Sequence, residues 1–124
     1  MPAVSTRLVL KFWLPVFFYA ILIFVLSGIP GDSLPSRVLD FDELLHIGEY
    51  LLFGVLLCRA IRATFVQLEV KGLYWMTVSA VLFYALSDEF HQMFVPLRTA
   101  SGWDVLSDTV GGFLGAVLLV RITR

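Results

Sequence analysis

Four runs of apolar residues alternate with short polar segments along the chain, at about 12–28, 44–63, 73–94 and 103–120. A helix rises 1.5 Å per residue, so about 20 apolar residues cross the roughly 30 Å hydrocarbon core of a bilayer. The pattern predicts an all-α membrane protein, a four-helix transmembrane bundle forming one domain over residues 1–124. The first run follows Arg7 and Lys11 as a secretory leader would. It is longer than the ~7–15-residue apolar core of a leader, and no clear small-x-small cleavage site follows. It therefore reads as a retained helix, with Pro15 tolerated near its start.

Composition moves the chain well outside the soluble class. It is 59% hydrophobic and only 15% charged, where soluble domains carry about a quarter charged residues, and its mean hydropathy is +0.88. A net charge of -1 excludes a nucleic-acid binder driven by phosphate neutralisation. The one cysteine, Cys58, cannot form an internal disulfide and reads as a small packing residue in an apolar run.

Cations set the orientation. Arg7 and Lys11 precede helix 1, Arg59, Arg62 and Lys71 separate helices 2 and 3, and Arg121 and Arg124 follow helix 4. The two remaining connections hold only Arg37 and Arg98. The positive-inside rule then places both termini in the cytoplasm (N-in, C-in) of a multi-pass protein.

With that orientation, the outer ends of three helices bring polar residues to one depth. Helix 2 opens with Asp42, Glu43, His46, Glu49 and Tyr50; helix 3 ends on Asp88, Glu89, His91 and Gln92; helix 4 opens with Asp104 and Asp108. At about 100° per residue, Asp42, His46 and Glu49 share an arc with Tyr50 at its flank. Asp88 aligns with Tyr84 and Gln92, and Asp104 with Asp108, Gly111 and Gly115. The last two glycines have the spacing that lets a neighbouring backbone approach closely. Helix 1 contributes little polarity and reads as a wall. The expectation is one acidic chamber opening outward, closed beneath by tight helix packing.

Helix capping competes with this reading for Asp42, Glu43 and Asp104, because carboxylates in a first turn satisfy free N–H groups and favour the dipole. Glu49 and Asp108 lie deeper, where a charge costs up to about 2.5–3.5 kcal/mol and marks a site or pathway. Asp88, Glu89 and Gln92 end a helix, where acids oppose the dipole, so capping does not account for them. So many acids in a poorly solvated pocket cannot all ionise, and the cluster is expected to share protons. Arg98 is the expected counter-ion, able to fold back or to hold an anion bidentately. Glu43-x-x-His46 and Asp88-x-x-His91 have the spacing from which helical bundles build two-metal sites. Glu43 points about 100° from Asp42, however, so no metal ligands and no cofactor are assigned.

The stretches "LSGIPGDSLP" (26–35), "DELLHIGEYLLFG" (42–54) and "SDEFHQMFVPLRTASGWDVLSDTVGGFLGA" (87–116) together resemble the VanZ-like bacterial membrane proteins. The pattern of that family falls here on Asp42, His46, Tyr50, Glu89, Gln92, Pro96, Arg98, Asp104, Asp108 and Gly111. Three positions depart from it. Glu43 stands where relatives often carry lysine, Leu97 replaces the glycine of Pro-Gly-Arg, and Asp108 replaces an asparagine. The first and last of these imply a more acidic chamber.

The resemblance implies a cell-envelope role in the bacterial cytoplasmic membrane. The family's namesake is associated with resistance to the glycopeptide antibiotic teicoplanin. Candidate partners are then the bilayer itself and a cell-wall precursor, lipid headgroup or glycopeptide at the outer leaflet. Two alternatives stay open: a membrane-embedded enzyme using the carboxylates and histidines, with or without a metal, and a small proton-coupled carrier.

Overall fold

The computed structural model describes residues 4–36 and 42–124. Among them, four helices are long and apolar enough to cross a membrane: α1 (Thr6–Ser27), α2 (Asp42–Thr64), α3 (Val70–Gln92) and α4 (Gly102–Ile122). No strand occurs among the described residues. Each helix overlaps its expected span, with the largest difference at α1, which begins at Thr6 and not near residue 12. Helices α2 and α4 start a little earlier than the apolar runs because their acidic first turns are helical too. The Arg37 used in the charge argument falls outside the described residues.

Pro15 shapes α1. Proline has no N–H and clashes with the carbonyl four residues back. The helix answers by widening into a π-helical turn over Val9–Trp13. The freed carbonyl of Lys11 accepts from Arg59 Nη2 of α2 at 2.8 Å. Further along, Trp13 Nε1 donates to Thr64 Oγ1 at 2.9 Å, Tyr19 donates to the Glu49 carbonyl at 2.9 Å, and Tyr84 donates to the Ala20 carbonyl. These polar ties matter because α1 buries little else: only Val16, Ile23 and Ser27 of Leu14–Ser27 are buried. Its other large side chains, Phe17, Phe18, Ile21, Leu22, Phe24 and Val25, are exposed. Such a surface suits lipid contact.

The tightest pair is α2 and α4. A Cβ added at Gly111 would stand 2.5 Å from the carbonyl oxygen of Ile47. At Gly115 it would strike the Leu51 carbonyl, and at Gly54 the carbonyl of Gly112. Backbone therefore rests on backbone along the whole seam, the close approach that the glycine spacing predicts. Two apolar clusters fill the rest. One joins Val16 and Ile23 to Tyr50, Phe53, Leu57, Val81 and Ala85. The other joins Cys58, Ile61 and Leu73 to Ala116, Leu119 and Val120. Cys58 is wholly buried, a packing residue as expected.

The connections after α1 and α3 dock on each other. Gly31 donates its N–H to the Pro96 carbonyl at 3.2 Å, and any Cβ on Gly31 would collide with the Leu97 carbonyl. Leu97 itself has φ 59°, a left-handed conformation that costs a non-glycine residue about 1–2 kcal/mol. This is the position at which the VanZ-like pattern carries glycine. The departure keeps the turn and accepts its strain.

Candidate functional site

The start of α2, the end of α3 and the start of α4 meet at one end of the bundle. His46 is the hinge of the arrangement. Its Nδ1 lies 2.7 Å from Asp108 Oδ1, and its Nε2 lies 3.6 Å from Asp42 Oδ2. Asp42, His46 and Asp104 each offer one ligand atom, all within 4.8 Å of one another. From α3, Asp88 Oδ2 accepts from the Tyr50 hydroxyl at 3.3 Å. Glu89 Oε2 accepts from the Ser101 N–H at 2.8 Å. His46, Tyr50, Asp88, Glu89, Gln92, Asp104 and Asp108 are all buried, with Asp108 at 0% exposure.

Several oxygens in this group lack partners. Ser27 Oγ, Asp88 Oδ1, Glu89 Oε1 and Asp108 Oδ2 are buried and make no hydrogen bond among the described residues. A buried polar atom without a partner is costly, and most such atoms in folded proteins are satisfied. Ser27 and Asp88 are neighbours that a small shift would join, but Glu89 Oε1 and Asp108 Oδ2 imply something else that satisfies them: a proton, water or a ligand.

A cavity of about 500 Å³ adjoins the cluster. Its polar lining comes from Ser27, Asp42, His46, Glu49, Asp88, Gln92 and Arg98, and its apolar lining includes Leu26, Leu34, Leu44 and Leu45. Leu44 and Leu45 are exposed on the outer surface of α2. The cavity thus runs between α1 and α2, from an apolar side to an acidic one. Glu49, only partly buried, lines this cavity.

The arrangement departs from the sequence reading at α1, Arg98 and Glu43, decides against capping at Asp104, and keeps the two carboxylate-x-x-His pairs apart as the helical angles imply. Helix α1 is more than a wall: Ser27 and Tyr19 both line the cavity, and Ser27 sits beside Asp88. A lone serine at the end of an otherwise apolar run was the available signal. Arg98 does not pair with Asp88 or Glu89. No ion pair involves it among the described residues, and Glu89 is held by the backbone N–H of Ser101. Asp104 does not cap α4, because Ser101 does so, accepting from Trp103 N at 3.1 Å. Glu43 is exposed, so its substitution for lysine does not acidify the chamber, and Asp108 alone does that. The two carboxylate-x-x-His pairs do not converge. Glu43 faces outward, and His91 stacks on Phe24 with ring centroids 4.0 Å apart.

A sequence model of the VanZ/LLP1 family matches residues 9–123. No curated protein and no solved structure gives a significant match. With the match spanning nearly the whole chain, the protein belongs to the VanZ/LLP1 family.

Proposed function

We propose that this member of the VanZ/LLP1 family receives the polar head of an amphipathic cell-envelope molecule in its acidic chamber, and so bears on glycopeptide susceptibility. The chamber would face the outer leaflet of a bacterial cytoplasmic membrane, with both termini inside. One observation carries the reading. The 500 Å³ cavity joins leucines on the outer surface of the bundle to His46, Glu49, Asp88 and Gln92. An envelope molecule with a lipid tail and a polar head has that same division. Small-ligand sites are characteristically clefts of about 300–1,000 Å³ with a few convergent polar groups.

Orientation is checked by cysteine labelling in intact cells, in a Cys58→Ala background. Probes placed at Ser33 and Thr99 are expected to react with an impermeant reagent, and one placed at Lys71 is not. Reaction at Lys71 alone would invert the topology and turn the chamber inward.

The role of the chamber is checked by Glu49→Gln and Glu89→Gln. Neither removes side-chain volume, and a glutamine oxygen can still accept from the Ser101 N–H. Both variants should therefore express and melt like the wild type. In a glycopeptide-sensitive bacterium, the wild-type chain is expected to change teicoplanin tolerance severalfold and each variant to return it to the vector level. Full activity in both folded variants would sink the chamber as the working site. No response to the wild type would sink the glycopeptide role.

A further inference from the structure

We propose that Asp42, His46 and Asp104 form a three-ligand site for a divalent first-row transition cation, zinc foremost, at the mouth of the chamber. With Asp108 ionised, the 2.7 Å contact holds a proton on Nδ1 and makes Nε2 the nitrogen open to a cation. Nε2 lies 3.6 Å from Asp42 Oδ2, within ion-pair range but too long for a hydrogen bond. An imidazole nitrogen set among carboxylates calls for a positive charge, which a bound cation or a second ring proton supplies. His46 is only 6% exposed, and its Nε2 makes no hydrogen bond among the described residues.

The spacing suits a metal. Zinc ligands about 2.0–2.2 Å from a tetrahedral ion lie roughly 3.4 Å from one another. The Nε2–Asp42 separation of 3.6 Å is already of that size, and the ligand atoms of the trio all lie within 4.8 Å of one another. Asp42 stands in the first turn of α2 with its side chain 37% exposed, free to swing the rest of the way. Asp104 is free as well, since Ser101 performs the capping that would otherwise occupy its carboxylate. Asp108, bonded to the far ring nitrogen, occupies the place of the outer carboxylate that orients a zinc-bound histidine. One imidazole with two carboxylates favours zinc, manganese or iron over calcium and magnesium, which prefer all-oxygen sites.

Asp42 and His46 also line the cavity. A cation held there with an open coordination position would give this acidic wall a positive focus for an anionic headgroup, with Arg98 on the same lining. That consequence rests on the chamber reading above. Metal binding itself does not.

The test uses the full chain, purified in detergent, stripped with chelator and dialysed against zinc. The wild type is expected to retain about one zinc per chain and to melt at a higher temperature with it. Glu43→Gln should retain the metal, because that side chain faces outward. His46→Gln and Asp104→Asn should each weaken binding at least tenfold. A wild type that holds no zinc above background overturns the site and leaves a doubly protonated His46 pairing the carboxylates instead. Equal retention by the wild type and both ligand variants overturns it too. Should those variants fail to fold, cobalt substitution of the wild type decides. The visible absorption of a low-symmetry nitrogen–oxygen site is expected, and the spectrum of free hexaaquo cobalt refutes the proposal. Glu49→Gln separates the two readings: loss of antibiotic response with zinc retained leaves the metal site standing.

Discussion

Gly115→Leu is expected to abolish the folded bundle, and Gly111→Leu to come close, while Gly72→Leu leaves most of the protein folded. The difference lies in what each new side chain would meet. At Gly115 even a Cβ collides with the Leu51 carbonyl and closes on the Val55 nitrogen, and at Gly111 it meets the backbone of Ile47. Those atoms belong to α2, whose own hydrogen-bonded backbone cannot yield locally, so the two helices must separate. Overpacking a core ordinarily costs about 1–3 kcal/mol, because neighbouring side chains can shift. Here no side chain stands between the helices to absorb the strain, so the cost should exceed that range. Parting α2 from α4 would also pull His46 away from Asp108, a turn above Gly111. At Gly72 the nearest atom is Leu68 Cδ1 at 2.8 Å, the end of a flexible side chain that can rotate aside. Thermal unfolding and monodispersity in detergent measure the contrast. Equal melting of all three variants would remove the close-packed seam from the account.

The same seam shows what could be read from the chain before any coordinates. Hydropathy and length located all four helices, because a bilayer demands long apolar segments with internally satisfied backbones. Helical periodicity placed Asp104, Asp108, Gly111 and Gly115 on one face, and that face is indeed buried. Periodicity fixes direction around one axis only, so it could not say which acid meets which partner across helices. The pairing of Asp108 with His46, rather than of His46 with its own-helix neighbours alone, depends on the depth to which α4 descends beside α2. Ser101 was invisible for a related reason. Its backbone N–H, and not a charged side chain, donates to Oε2 of Glu89, and every residue but proline carries that group. Arg98 looked like the natural counter-ion by charge. The loop that carries it instead takes the left-handed turn at Leu97 and docks on Gly31, and no carboxylate comes within ion-pair range of the guanidinium among the described residues. Glu43 lies one position past Asp42, and a single helical step of about 100° was enough to turn it out of the chamber.

Removing both His46 and Asp108 is expected to harm the fold less than removing either alone. Asp108 is completely buried and has one hydrogen-bond partner, His46, with its second oxygen already unpartnered. His46→Leu therefore leaves a fully buried carboxylate without its one donor, and breaking a buried pair from one side costs about 3–5 kcal/mol. Asp108→Leu is expected to cost less, because the imidazole left behind can stay neutral and only its Nδ1 loses a partner. In the double variant no uncompensated charge remains at this contact. Apolar replacements of buried ion pairs are often neutral or stabilising, so much of the loss should be recovered. Asp108→Asn is the informative single change. It keeps the oxygen that accepts from Nδ1 and supplies the residue type that the VanZ-like pattern carries, so its cost should stay near that of one weakened hydrogen bond, about 0.5–1.5 kcal/mol. Unfolding of the four variants in detergent forms a double-mutant cycle, and the expected coupling is large and of the rescuing sign. Simple additivity of the two leucine substitutions would mean that the 2.7 Å contact carries no energetic weight. The double variant has a second use. Folded but without the imidazole and its supporting carboxylate, it should have lost zinc retention and antibiotic response together, which would separate what this pair binds from the stability it lends.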